Sequence, residues 1–143
     1  MIKKLSFSGE DRKELLELFK TSEWTKTAGI PFYSFLDCIG YIEEKKIIGA
    51  ILYKKYKRKP GGKITFIVVA PEYYKKGIAK KMIRCLNLEE LNVDIAQLNG
   101  ASFACFNSMY ALNVVEKFIT KQGMSIIKYH GVLRTALKMK KLF

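Results

Sequence analysis

Residues 64–86, with the sequence ITFIVVAPEYYKKGIAKKMIRCL, constrain the fold more than any other part of the chain. The apolar run up to Val69 predicts a strand, Pro71 and Gly77 predict a turn, and apolar residues at helical spacing then predict a basic amphipathic helix. A turn that leads into a helix N-terminus exposes unpaired backbone N–H groups and the positive end of the helix dipole. This unit is therefore a candidate phosphate-binding element.

An antiparallel meander of three strands is predicted, and its last strand is the apolar run that precedes Pro71. The apolar segments CIGYIEE, IIGAILYKKY and KITFIVVA are separated by short turns, the second of which contains Gly61 and Gly62. The third segment is apolar on both of its faces. A strand that is buried on both sides belongs in the middle of a sheet.

The N-terminal part of the sequence predicts a strand and a helix. Residues 1–7 suit a short edge strand, and Ser8 suits the cap of a helix over residues 10–21. The next segment, residues 24–35, is rich in aromatic residues and is broken by a glycine and a proline. Its bulky side chains would either close the core or form a broken second helix over a cleft.

The C-terminal part predicts a different succession of elements. Residues 91–100 are expected to be irregular, and the following ASFACFNSM to be a strand. Asn113, with Glu116 three residues later, predicts the start of a helix over residues 114–122. Two closing strands are predicted around Gly131.

The composition favours one folded domain. At 143 residues, of which 49% are hydrophobic, the chain has the size of an ordinary domain and is too apolar to be disordered. No apolar run approaches the roughly 20 residues that cross a bilayer, and the first residues do not resemble an export signal. We therefore expect a cytoplasmic protein without membrane association. Cys38, Cys85 and Cys105 are expected to be free thiols, and no metal site is predicted.

The formal net charge of +13 favours an anionic partner. Basic residues cluster in YKKYKRKPGGK, around the helix that follows Gly77, and at the C-terminus. The partner would be nucleic acid, an acidic surface or a phosphorylated small molecule. The simpler interpretation, solvated lysines on the surface, accounts for the same charges.

The order of these elements resembles the GCN5-related N-acetyltransferase (GNAT) superfamily over nearly the whole chain. The segment VVAPEYYKKGIAKKMI is similar to the acyl-CoA motif, in which V-x-P ends a strand and [QR]xxGx[GA] opens a helix. Pro71, Gly77 and Ala79 match, and Tyr74 stands where Gln or Arg is usual. The resemblance implies an α/β (α+β) GNAT-like fold in a single acyl-CoA-dependent N-acetyltransferase domain over residues 1–143. Its mixed, mostly antiparallel central sheet would have six to seven strands and be flanked by about four helices.

The same resemblance implies acetyl-CoA as the acyl donor. Backbone amides of the turn and of the first helical turn would hold the pyrophosphate, and small residues at positions 77 and 79 would let it approach closely. The backbone of Ile67 and Val69 would pair with the pantetheine arm. The expected cofactor-binding residues are Ile67, Val69, Tyr74, Lys75, Lys76, Gly77, Ile78, Ala79, Lys80 and Asn113.

A second motif brings in Asn113, because NVVEKFITKQGM is similar to the family's NxxAxxxYxxxGF. Asn113 and Gly123 align, but the family's tyrosine, which often protonates the departing thiolate, falls on Ile119. Isoleucine has no proton to donate, so Tyr110 becomes the candidate general acid, with packing as its alternative role. Glu43 is the candidate general base, and the other carboxylates considered are Asp37, Glu44 and Glu72.

Two functions follow from these observations. The first is an N-acetyltransferase in which a primary amine, of a small molecule or a protein, attacks acetyl-CoA directly. The alternative is a non-catalytic GNAT-like module that binds nucleic acid or an acidic partner through its basic surface, where Tyr53 and Tyr56 lie among lysines. Nucleic acid is the less favoured partner. A homodimer is compatible with the sequence, but no stretch specifies an interface.

Overall fold

The computed structural model describes residues 1–6, 9–22 and 36–135. The strands are β1 (Ile2–Leu5), β2 (Asp37–Glu43), β3 (Lys46–Lys55), β4 (Gly62–Val69), β5 (Glu90–Ala96), β6 (Tyr110–Ile119) and β7 (Ser125–Leu133). The helices in this part of the chain are α1 (Asp11–Phe19), α2 (Ile78–Cys85) and α3 (Gly100–Met109). The strands form one seven-stranded sheet in the order β1-β2-β3-β4-β5-β7-β6. The predicted fold class, a mixed and mostly antiparallel sheet with helices, is confirmed.

The chain divides into two compact units. The first comprises Met1–Lys54 and Thr65–Asn87, and the second comprises Lys55–Ile64 and Leu88–Phe143. Strand β4 contributes residues to both. The predictions for Ser8 and for residues 24–35 lie outside the described residues.

In the first unit, the N-terminal elements match their predicted pattern. Strand β1 pairs antiparallel with β2, and β2 pairs antiparallel with β3. The β2–β3 hairpin turns through Glu44 and Lys45, whose φ angles of 49° and 64° fit the favoured two-residue hairpin turn. Helix α1 buries Leu15, Leu18 and Phe19. The predicted edge strand, first helix and meander are confirmed.

Helix α2 packs against β3 at a glycine. A Cβ atom at Gly49 would lie 2.9 Å from Met82 Cε and 3.4 Å from Ile78 Cγ2. The helix buries Ile78, Met82 and Ile83, which belong to the predicted apolar stripe. The absence of a side chain at Gly49 thus lets α2 approach the sheet closely, and this contact fixes the start of the helix.

In the second unit, β5 pairs with a strand on each of its two sides. Three residues of β4, beginning with Gly62, pair in parallel with β5. Strand β5 also pairs antiparallel with β7, which in turn pairs antiparallel with the outermost strand β6. Helix α3 buries Phe106 and Met109, and its Phe103 ring lies 5.5 Å from the ring of Tyr129 on β7.

The predictions for the C-terminal part are largely wrong. Most of the segment 91–100, expected to be irregular, is strand β5, and ASFACFNSM, expected to be a strand, forms α3. The segment 114–122, predicted to be a helix, instead forms the end of β6 up to Ile119 and the start of the following turn. The two closing strands predicted around Gly131 are one strand, β7, which runs through that glycine.

Pairing of β6 with β7, the next strand along the chain, explains the difference at residues 114–119. The β6 sequence contains Val114, Val115 and Ile119, which favour a strand once β7 provides a partner. Asn113 consequently lies opposite His130 in the β6–β7 ladder rather than at the start of a helix. Helix α3 is capped by Asn99, whose side-chain oxygen accepts a hydrogen bond from the backbone N–H of Ser102 at 3.2 Å.

Within the described ranges, no helix combines the length and the apolar character of a membrane span. The same residues contain no group of three or more His, Cys, Asp or Glu side chains placed to hold a metal ion. All three cysteines are described, and none forms a disulfide. Burial, with a smaller effect of Asp11, raises the pKa of Cys38 to about 12, so this thiol stays protonated.

Candidate functional site

The turn between β4 and α2 is held against β3. At its start the backbone N–H of Ala70 donates to the carbonyl of Ile48 at 2.7 Å. Pro71–Tyr73 then forms a short 3₁₀ turn, in which the N–H of Tyr73 donates to Ala70 O. Because proline fixes φ and lacks an N–H group, it ends β4 at this position. The chain leaves the sheet here and turns toward α2.

Helix α2 begins without a side-chain cap. Its N-cap residue is Gly77, and the first helical hydrogen bond runs from Lys81 N to Gly77 O at 3.0 Å. The preceding amides, those of Ile78, Ala79 and Lys80, have no partner within the helix. No side chain of residues 1–6, 9–22 or 36–135 caps them, and no acidic residue lies in the first turn. The helix therefore presents several N–H donors, with the positive end of its dipole, to an anion.

Gly77, the N-cap residue, has open space at the position that a Cβ atom would occupy. Its φ of +77° lies in the left-handed region, which glycine occupies without steric cost. A Cβ atom built at Gly77 would meet nothing within 4 Å. A diphosphate such as that of acetyl-CoA fits this arrangement, because donors, positive charge and free volume occur together.

Lysines surround the same helix start. Lys75, Lys76 and Lys81 are exposed, and the Lys76 ammonium lies 5.1 Å from the centre of the Tyr73 ring. Positive side chains at a helix N-terminus are repelled by the positive end of the helix dipole. A bound anion would be attracted both by these side chains and by the dipole. Tyr74, at the position where the family usually has Gln or Arg, is 54% exposed and stands beside this cluster.

The structure brings most of the predicted donor-site residues together in the first unit. Residues 74–80 form the turn and the start of α2, while Ile67 and Val69 are half-buried on β4. Glu43, the candidate base, is exposed at the end of β2, opposite Lys46. Because Ile48 of β3 binds Ala70, the hairpin that carries Glu43 lies at the same end of this unit as the β4–α2 turn.

Tyr110, the candidate general acid, is buried in the second unit. Its side chain is 1% exposed, and its hydroxyl donates to the backbone carbonyl of Leu88 at 2.7 Å. Burial raises the pKa of Tyr110 to about 12. It is the first residue of β6, not the residue before a helix as predicted. In this arrangement its proton is engaged in a structural hydrogen bond.

Removing the Tyr110 hydroxyl is expected to lower stability by about 1–2 kcal/mol, because Tyr110→Phe leaves the buried Leu88 carbonyl without its donor. The raised pKa means that this contribution is present below pH 10 and is lost as the pH rises toward 12. Urea unfolding at pH 7 and at pH 11 measures both effects. The difference between wild type and variant should shrink at the higher pH. A constant difference would contradict the assignment.

The second motif does not have the predicted structure. Asn113 and Ile119 both lie on β6, exposed, and Ile119 is 72% exposed. The alignment of Asn113 with a helix-capping position is therefore not supported. The residue that does cap a helix is Asn99, which the sequence analysis missed. Its recognisable feature is the N-G-A-S segment directly after the alternating pattern of β5.

Counting the family spacing NxxAxxxYxxxGF from Asn99 places Phe106 at the tyrosine position. Phe106 is buried on α3. Neither alignment therefore puts a phenol at the position of the family's proton donor.

The model of the acetyltransferase (GNAT) family matches residues 8–90, more than half of the chain. The matched segment includes β4, the following turn and α2. A comparison with curated proteins gives no significant match.

Several solved structures share the fold. The ribosomal-protein-S18-alanine N-acetyltransferase of Escherichia coli superposes with a TM-score of 0.70 at 14% identity, over 93% of this chain and 94% of the other. Chaetomium thermophilum Naa20, in complex with a bisubstrate analogue, gives a TM-score of 0.68 at 16% identity, over 96% and 89%. The PaiA N-acetyltransferase of Thermoplasma acidophilum, in complex with coenzyme A, gives 0.62 at 17% identity, over 90% and 96%. At these identities the likeness is one of fold.

Proposed function

The chain belongs to the GNAT acetyltransferase family, and on this premise we propose that it transfers an acetyl group from acetyl-CoA to a primary amine. One observation supports the donor most directly. At the start of α2 the backbone amides have no capping side chain among the described residues, a Cβ atom at Gly77 would meet nothing within 4 Å, and lysines surround this position. These are the properties that a diphosphate-binding helix start requires.

Acetyl-CoA would bind through residues of β4 and α2. The amides of residues 75–80 would hold the diphosphate, with Lys75, Lys76 and Lys80 adding positive charge. The backbone of Ile67 and Val69 would pair with the pantetheine arm as an added strand does. Tyr74, exposed beside the amides, would contact the same ligand. The bound cosubstrate supplies an activated thioester.

In the reaction, the nitrogen of the amine forms a bond to the thioester carbonyl carbon and the carbon–sulfur bond breaks. The amine loses a proton, and the thiolate of coenzyme A gains one. Glu43 is the proposed proton acceptor, since it is an exposed carboxylate at the sheet end that carries the turn. The proton that the thiolate gains would come from solvent, while the buried Tyr110 hydroxyl keeps its hydrogen bond to Leu88 O.

The acceptor is proposed to be a primary amine of a small molecule or of a protein. The names of two fold neighbours refer to a ribosomal-protein alanine and to a bisubstrate analogue. We therefore include a peptide with an N-terminal alanine among the amines to be tested, beside polyamines, aminoglycosides and amino acids.

A thiol-release assay with acetyl-CoA tests the proposal over this panel. At least one amine should raise thiol release above the rate with acetyl-CoA alone, and the Glu43→Gln variant should lower that rate. The exposed Cys85 would react with a thiol reagent, so the assay uses Cys85→Ser as its background. Failure of every amine, combined with no heat of acetyl-CoA binding in calorimetry, would refute the proposed function.

A further inference from the structure

The loop between β3 and β4 is fixed in shape by contacts within the second unit. The backbone N–H of Tyr56 donates to Gly61 O at 3.0 Å and closes the loop. The Tyr56 hydroxyl accepts a hydrogen bond from Asn92 Nδ2 of β5 at 2.9 Å. Gly61 lies so close to β5 that a Cβ atom there would be 2.5 Å from Glu90 O. These contacts hold the loop against β5. A loop that is already ordered loses little conformational entropy when a ligand binds.

This fixed loop presents a group of cations. Lys55, Lys57, Arg58 and Lys59 are exposed, and none of them forms an ion pair with a carboxylate of the described residues. Two other lysines of the second unit do have carboxylate partners. Lys63 lies 3.5 Å from Asp94, and Lys128 lies 3.8 Å from Glu116. The loop thus presents four cations within residues 55–59 that have no carboxylate partner among the described residues.

A cavity of about 270 Å³ lies at the foot of the loop. Its lining comprises Tyr56, Lys59, Pro60, Glu90, Asn92, Val115 and His130. Asn92 and His130 are paired positions on β5 and β7, so their side chains share one face of the sheet. The cavity therefore offers an amide, an imidazole and a carboxylate to a ligand with several hydrogen-bonding groups.

The position of Glu90 determines what the cavity accepts. A carboxylate repels a phosphate, so an anion is favoured at the loop cations and disfavoured inside the cavity. A neutral group that donates to a carboxylate, as the amino group of a nucleobase does, suits the interior. A single-stranded nucleic acid can place its phosphates at the loop and one base inside the cavity, because its bases are free to leave the stack.

We propose that the β3–β4 loop and this cavity bind single-stranded nucleic acid, with backbone phosphates on Lys57 and Arg58 and one base in the cavity against Asn92 and His130. The site does not involve the β4–α2 turn, and binding is measured without acetyl-CoA. Its failure would therefore leave the proposed acetyl transfer unaffected.

Fluorescence anisotropy with a labelled 12-nucleotide RNA tests the phosphate contacts. The double variant Lys57→Gln/Arg58→Gln should bind about ten-fold more weakly at low salt, and the slope of log affinity against log salt should fall by about 1.4. The matched control Lys3→Gln/Lys4→Gln removes the same charge from exposed positions of β1. It should retain the wild-type slope. Equal slopes for all three proteins would overturn the proposal.

His130→Ala tests the cavity. It should weaken binding of the single strand several-fold without changing the salt slope, because it removes a base contact and no phosphate contact. A duplex of the same sequence should bind more weakly than the single strand to the wild-type protein. If duplex and single strand bind equally well, or if inorganic polyphosphate competes as well as the RNA, the assignment of a base to the cavity is wrong. Circular dichroism establishes that each variant is folded.

Discussion

Replacing Gly77 by Glu is expected to weaken acetyl-CoA binding by about 100-fold or more, as measured by isothermal titration calorimetry. Two effects act together. At a φ of +77°, a residue with a Cβ atom is strained by about 1–2 kcal/mol. The new side chain would also enter the open space before the α2 amides and place a carboxylate where the diphosphate is proposed to bind.

Gly123→Glu is the matched control for this variant. Gly123 has a φ of +82°, and a Cβ atom there also meets nothing within 4 Å. The substitution thus introduces the same strain and the same charge, but in the turn between β6 and β7. It should bind acetyl-CoA with wild-type affinity. If Gly77→Glu binds as well as this control, the diphosphate does not lie at the start of α2.

Gly61→Ala is expected to lower the free energy of unfolding by about 3 kcal/mol, which combines left-handed strain with overpacking. The φ of Gly61 is +93°, and an added Cβ atom would lie 2.5 Å from the backbone oxygen of Glu90. Backbone atoms of a central strand cannot move aside as a flexible side chain can. Urea denaturation followed by circular dichroism measures the effect.

Gly100→Ala provides the control with the same chemical change. Gly100 is the first residue of α3, and a Cβ atom there meets nothing within 4 Å. Alanine favours the helix over glycine, so stability should stay equal or rise by up to about 1 kcal/mol. Equal losses for the two variants would show that the contact between Gly61 and Glu90 does not carry the effect.

The first unit was largely predictable because its patterns are local. The meander follows from apolar runs interrupted by short turns, and α2 follows from a stripe that includes Ile78 and Met82. Pro71 and Gly77 mark the turn for reasons of backbone conformation alone. The donor side of the candidate site depends on the same residues, so it was accessible from the sequence.

The C-terminal part was not predictable in this way because local patterns that are typical of one element there belong to another. Asn113 and Glu116 match the spacing of a helix cap, yet β7 draws this segment into a ladder. The segment that became α3 contains aromatic residues that favour strands, but Asn99 caps it as a helix. Tyr110 illustrates the effect on the site, since only the fold reveals that its hydroxyl binds Leu88 O.

In the β3–β4 loop, the residues that determine the conformation are different from the residues that determine the charge. Tyr56 and Gly61 fix the conformation, whereas Lys57 and Arg58 project into solvent between them. Substitutions at exposed positions of this kind usually change stability by less than about 0.5 kcal/mol. In evolutionary terms, the tip is free to gain, lose or reverse its charge while the scaffold stays intact. The proposed partner preference of this loop is therefore able to change independently of the chemistry proposed for the β4–α2 turn.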